Sequence, residues 1–138
     1  MFSSITALLS FTGWSLLLLF GVVTFRVAQV LAGTKKSNEF PAWIQHGSDF
    51  YWRLHRAHQN CMESLPVFAV IVLTAFYLGF QDPIFEILAR VVVGARILQS
   101  VAHLSGGGEW NVNVRFTGFL IQFASFVAML GILLRSLL

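Results

Sequence analysis

Arg53, Arg56, Asn60 and Glu63 are spaced so that one helix gathers them on one face. At 100° per residue these four and Val67 fall within an arc of roughly 80°. A second set, Arg96, Gln99, Ser100 and His103, falls within an arc of roughly 100°. Guanidinium forks bind carboxylates bidentately and stay charged when partly buried. A carboxylate such as Glu63 takes an ammonium group, and the Asn60 amide both donates and accepts. With Arg115, these residues suit a small, polar, mostly anionic ligand that carries one amine. The alternative is an interhelical ion-pair network that only fixes packing.

Both stripes lie in segments where charge is costly. The chain has 138 residues, of which 57% are hydrophobic and only 11% charged, and its mean hydropathy is +0.75. That leaves too little polar surface to cover a soluble globule. Apolar runs at about 5–31, 50–80, 84–104 and 115–136 are each long enough for the ~20 residues that cross ~30 Å of hydrocarbon. An ionisable group near a bilayer centre costs on the order of 2.5–3.5 kcal/mol, so a chain with several on one face should have something for them to bind. The expected fold is an all-α membrane protein, one domain over residues 1–138, built as a four-transmembrane-helix up-down bundle. Apolar span walls would admit a lipophilic second substrate from the bilayer.

The first run has no basic n-region and is longer than a signal-peptide core, so it reads as a retained span. Lys35 and Lys36 in the first loop, with Arg26, Arg53, Arg56 and Arg115 at neighbouring span ends, put the basic excess on one side. The positive-inside bias then makes loops one and three cytoplasmic. The pI of 9.6 is explained by this topology, and no nucleic-acid partner is expected. Arg26 reads as a snorkelling anchor, Tyr51, Trp43 and Trp52 as an interfacial aromatic belt, and His46 and His55 as solvated. His58 points away from the first stripe and suits packing. Asp82-Pro83 reads as an N-cap with proline at the first helical position, and Glu86 and Arg90, four apart, as an ion pair. Ser105 to Asn113, with its glycine run, reads as a flexible loop before Arg115 opens the fourth span. Gly118, Ala124 and Ser125 suit close helix packing.

Several chemistries find no support in the residue pattern. No Cys/His spacing suits zinc, so no metal site is expected. No nucleophile–His–Asp set is evident, and the glycine run lacks a phosphate loop's Gly-Lys-Ser/Thr ending.

The run Arg56-Ala-His-Gln-Asn-Cys-Met-Glu63-Ser-Leu-Pro66 closely resembles the signature of the MAPEG superfamily, the membrane-associated proteins of eicosanoid and glutathione metabolism. Arg96, seven residues before His103, resembles that family's third span. The resemblance covers nearly the whole chain. It implies a homotrimer embedded among membrane lipids, in a bacterial inner membrane or an endomembrane, with glutathione as co-substrate between adjacent subunits near the cytoplasmic face. Similar proteins include glutathione transferases and peroxidases, prostaglandin E and leukotriene synthases, and a non-enzymatic lipid-binding activating protein. By position, Arg56, Asn60, Glu63 and Arg53 resemble glutathione contacts from span two, and Arg96 the contact from span three; Gln99 lies on the same stripe. Arg115 resembles the arginine that faces the glutathione sulfur in some relatives. Many members have tyrosine where this chain has His103, which makes His103 the rival thiol activator. Prostaglandin E synthase has histidine where this chain has Gln99. The implied function is a glutathione-dependent transferase or peroxidase acting on lipophilic electrophiles or lipid hydroperoxides. The alternative is a non-catalytic lipid-binding or scaffold protein of the same fold.

Overall fold

The computed structural model of the chain describes residues 3–138; the first two positions of the expected domain lie outside it. Four helices follow one another: α1 (Ser4–Leu31), α2 (Asp49–Tyr77), α3 (Pro83–Ser105) and α4 (Glu109–Leu137). The described residues contain no strand. Helices α1, α2 and α4 are long and apolar enough to cross a membrane. Helix α3 has 23 residues, about 35 Å at 1.5 Å per residue, but Glu86, Arg90 and Arg96 dilute its hydropathy. It packs against all three others; Arg96 is buried among them and Glu86 half-buried, while Arg90 stays exposed.

Local sequence explains where the helices start and stop. Ser3 and Ser48 accept the Thr6 and Tyr51 backbone N–H groups. Asp82 Oδ1 accepts the Phe85 N–H at 2.8 Å, with Pro83 behind it, as the spacing predicts. Helices α1 and α2 end alike. Gly33 (φ 72°) and Gly79 (φ 64°) adopt the left-handed conformation, and the next N–H groups, of Thr34 and Phe80, reach back to the Gln29 and Ala75 carbonyls. Those bonds satisfy carbonyls that a helix end otherwise leaves open.

The core runs along the α1–α2–α3 seam, with Phe11, Phe68, Val72, Phe85, Ala89 and Val92 fully buried. Phe68 touches Phe11 at 5.6 Å and Phe126 at 5.9 Å between ring centroids, tying α4 to the same cluster. Helices α3 and α4 pair most closely, and α1 and α4 do not meet among the described residues. Gly118 permits that close approach: a Cβ there would stand 3.2 Å from both the Ala95 carbonyl oxygen and Gln99 Cβ. The expectation of small residues for packing holds at this position. Leucine and phenylalanine on the outer faces, such as Leu9, Leu17 and Phe20, are left exposed, as lipid-facing side chains must be.

The third connection differs from expectation. Only Gly106–Gly108 separate α3 from α4, because Glu109, Trp110 and Asn111 already form the first turn of α4. The Asn111 side chain donates to the Ala102 carbonyl at 2.9 Å and ties that turn to the end of α3. Arg115 therefore lies in the second turn of α4 rather than opening it.

Candidate functional site

Helix α2 continues unbroken through Pro66, so the stripe keeps helical spacing over its whole length. Arg56 Nη1 donates to Gln59 Oε1 at 3.2 Å, one turn along. Between α2, α3 and the first half of α4 lies a cavity of about 460 Å³. Arg56, Asn60, Gln99, His103 and Arg115 line it, with Trp52 and Phe116 as aromatic wall. Its size falls within the range of small-molecule sites. Arg115 and Arg56 share the cavity with His103, and Arg53 lies one turn before Arg56 on α2. This end of the site is strongly cationic.

A second cavity of about 390 Å³ adjoins the first and shares Asn60, Gln99 and Phe119 with it. Glu63, Ser64 and Arg96 form its polar end, and Phe123, Phe126 and Leu130 its apolar end. Arg96 is only 2% exposed. One Nη of Arg96 donates to Ser64 Oγ, and the guanidinium lies over the Phe11 ring at 5.5 Å. The α1 face thus holds it by a cation–π contact, and its Nε remains buried without a partner.

Gln99 is presented in one orientation. Gln122 Nε2 donates both to the Gly118 carbonyl at 3.1 Å and to Gln99 Oε1 at 2.9 Å. A backbone carbonyl only accepts, so the Gln122 amide cannot turn over without losing both bonds. Gln99 must then offer its NH₂ toward the cavities. Gln122 Oε1 and His103 Nδ1 are buried and unpartnered. Buried polar atoms are normally satisfied, and these two join the Arg96 Nε as exceptions.

Seven of the eight residues singled out in the sequence meet at these two cavities: Arg56, Asn60, Glu63, Arg96, Gln99, His103 and Arg115. Arg53 lines neither. It is half-buried with its Nε unpartnered and contributes charge from one turn away. Arg115 and His103, expected from the sequence as rival thiol activators, share one cavity, while Glu63 and Arg96 belong to the other.

Several surrounding residues differ from expectation. Tyr51 is fully buried and accepts a hydrogen bond from Arg26 Nε at 2.9 Å, so neither the belt nor the anchor reading describes this pair. His55 is buried, stacks on Tyr51 and bonds the Ala42 carbonyl at 3.2 Å. His46 packs against Phe40, Tyr51, Trp52 and His55. Aromatic neighbours exclude the water expected around His55, while His46 stays half-exposed. Arg90 donates to the Glu86 backbone carbonyl, and the Glu86 carboxylate accepts from the Ser4 hydroxyl instead. The expected side-chain pair gives way to a link between α3 and α1.

Ser64 and the Gln99–Gln122 pair were missed as site components. Ser64 stands four residues after Asn60 on the same face, and Gln122 is the one amide in an apolar span, so both had a sequence signal. Their partners lie on other helices. Among the described residues no group of three His, Cys, Asp or Glu side chains could hold a metal ion.

Neither curated proteins nor solved structures give a match to this chain. The family model described as the MAPEG family matches residues 4–135. With that match running through all four helices and both cavities, the chain is a membrane protein that belongs to the MAPEG family.

Proposed function

We propose that the protein is a glutathione-dependent membrane transferase or peroxidase acting on lipophilic electrophiles or lipid hydroperoxides. The observation that carries this reading is the junction of a cationic cavity with an apolar one across Asn60, Gln99 and Phe119. MAPEG family members use glutathione, and its two carboxylates and one ammonium match the charges on hand. Arg56 and Arg115 take carboxylate or thiolate, Glu63 takes the ammonium, and Asn60 and the Gln99 NH₂ bond the peptide groups. The lipophilic substrate enters from the bilayer along Phe123, Phe126 and Leu130.

In the transferase reaction the thiol loses its proton and the thiolate sulfur attacks the electrophilic carbon. The new C–S bond forms as the leaving group departs with its electron pair. In the peroxidase reaction the thiolate attacks a peroxide oxygen and breaks the O–O bond. The alkoxide takes a proton, and a second glutathione reduces the resulting sulfenic acid to disulfide and water. Each route needs a thiolate beside a cation and an apolar channel for the second substrate.

The site operates at the membrane face that carries loops one and three, which the basic residues orient to the cytoplasm. The test is conjugation of glutathione to an aryl halide, and reduction of a fatty-acid hydroperoxide, by purified protein in lipid. Turnover of either above the uncatalysed rate, lost in Arg115→Ala, supports the reading. Binding of fatty acid with no turnover of either substrate overturns it in favour of a lipid-binding protein.

A further inference from the structure

A third cavity, of about 450 Å³, lies on the other side of α1, between the last turns of that helix and the first loop. The sites described above do not use it. Arg26, Ser37, Asn38 and Phe40 form its polar side, and Val27, Val30 and Leu31 form a wall that faces outward from the bundle. Phe40 is the centre of this arrangement. Arg26 lies 5.5 Å from its ring centroid and Lys35 Nζ 5.3 Å, so two cations share one ring. Among the described residues only the Nε–H of Arg26 is taken, by Tyr51. Lys35 Nζ reaches only the Glu39 backbone carbonyl, at 3.4 Å. Glu39, the one acidic group in this loop segment, already turns its carboxylate to the Lys36 backbone N–H. Among the described residues neither cation bonds a carboxylate, so an added anion would find free charged donors.

We propose that this cavity binds an anionic phospholipid. The phosphodiester sits at Arg26 with the Ser37 and Asn38 side chains as neutral donors, Lys35 on the same Phe40 ring but outside the cavity lining adds its charge, and an acyl chain runs along Val27, Val30 and Leu31. The apolar wall and the position at the end of a membrane-crossing helix select a lipid over a free phosphate. Basic residues beside an anionic leaflet each strengthen binding about fivefold.

The test uses purified protein in bilayer nanodiscs, with native mass spectrometry counting retained phosphatidylglycerol against phosphatidylcholine. Wild type should retain the anionic lipid with about a tenfold or greater preference. Arg26→Gln should cut that preference about fivefold, and Lys35→Gln, which breaks no contact with the helical core, should do the same without loss of thermal stability. Arg135→Gln, at the opposite end of the bundle, should leave it unchanged. The proposal is overturned if wild type shows no preference, or if Lys35→Gln keeps it. A drop of equal size in Arg135→Gln would mean general surface charge and overturns it too. Full displacement of the lipid by millimolar inorganic phosphate overturns the assignment to a lipid.

Discussion

Asn60 lines both cavities of the candidate site, and Glu63 is the carboxylate among their lining residues. These two residues therefore give the most direct reading of ligand binding. Asn60→Ala and Glu63→Gln should each weaken glutathione binding about tenfold to a hundredfold, since a hydrogen bond to a charged group contributes roughly 1.5–3 kcal/mol. Isothermal titration in detergent measures this directly. Normal binding in both variants would make the stripe structural. The two candidate thiol activators are separable at the same scale. A thiol ionises near ~8.5 in water, and holding it as thiolate two pH units lower needs roughly 2.7 kcal/mol of preference for the anion. One guanidinium at hydrogen-bonding distance supplies an effect of that size. Thiolate absorbance of bound glutathione against pH should move up by about two units in Arg115→Ala and little in His103→Phe. The opposite pattern transfers the role to His103. The residues of the site were legible because intramembrane charge at helical spacing has few innocent explanations. Tyr51, His46 and His55 were not, because an aromatic or histidine at a span end reads the same whether water or another ring covers it.

At the scale of elements, helix ends were readable wherever a single residue type dictates the backbone. Asp82-Pro83 starts α3, and Gly33 and Gly79 end α1 and α2. The start of α4 was not readable, since Glu109, Trp110 and Asn111 follow three glycines and resemble loop. Only the Asn111 bond to α3 explains why the helix begins there. The α3–α4 pairing also depends on partners distant in sequence. Gly118→Val should cost about 1–3 kcal/mol by overpacking against the Ala95 carbonyl and Gln99, visible as a lower melting temperature. Gln122→Leu removes the donor to Gln99 Oε1 and frees the Gln99 amide to turn. It should weaken glutathione binding severalfold in titration while the helices remain formed by circular dichroism. Unchanged binding would show that the amide orientation has no bearing on the ligand.

The whole molecule leaves polar groups where a lone bundle cannot afford them. Glu63 is exposed on α2, and Arg56 and Asn60 are half-exposed beside it. Facing lipid, each ionised group would cost on the order of 2.5–3.5 kcal/mol. Helices α1 and α4 do not meet among the described residues, so the face of α2 that carries Glu63 has no fifth element of its own chain to cover it. A second copy laid against that face removes both problems, and a cyclic trimer repeats the same heterologous contact three times without leaving an open end. We therefore expect a homotrimer with three equivalent sites at its subunit boundaries. Mass measurement in mild detergent should give three copies of the 15.4 kDa chain. Titration with glutathione should then distinguish one site per subunit from fewer. Glu63→Gln should keep the trimer, because a neutral amide is easier to bury at that boundary than a carboxylate, while its glutathione affinity falls. A clean monomer or dimer for the wild-type protein would mean that lipid headgroups or water, rather than a neighbouring subunit, satisfy Glu63.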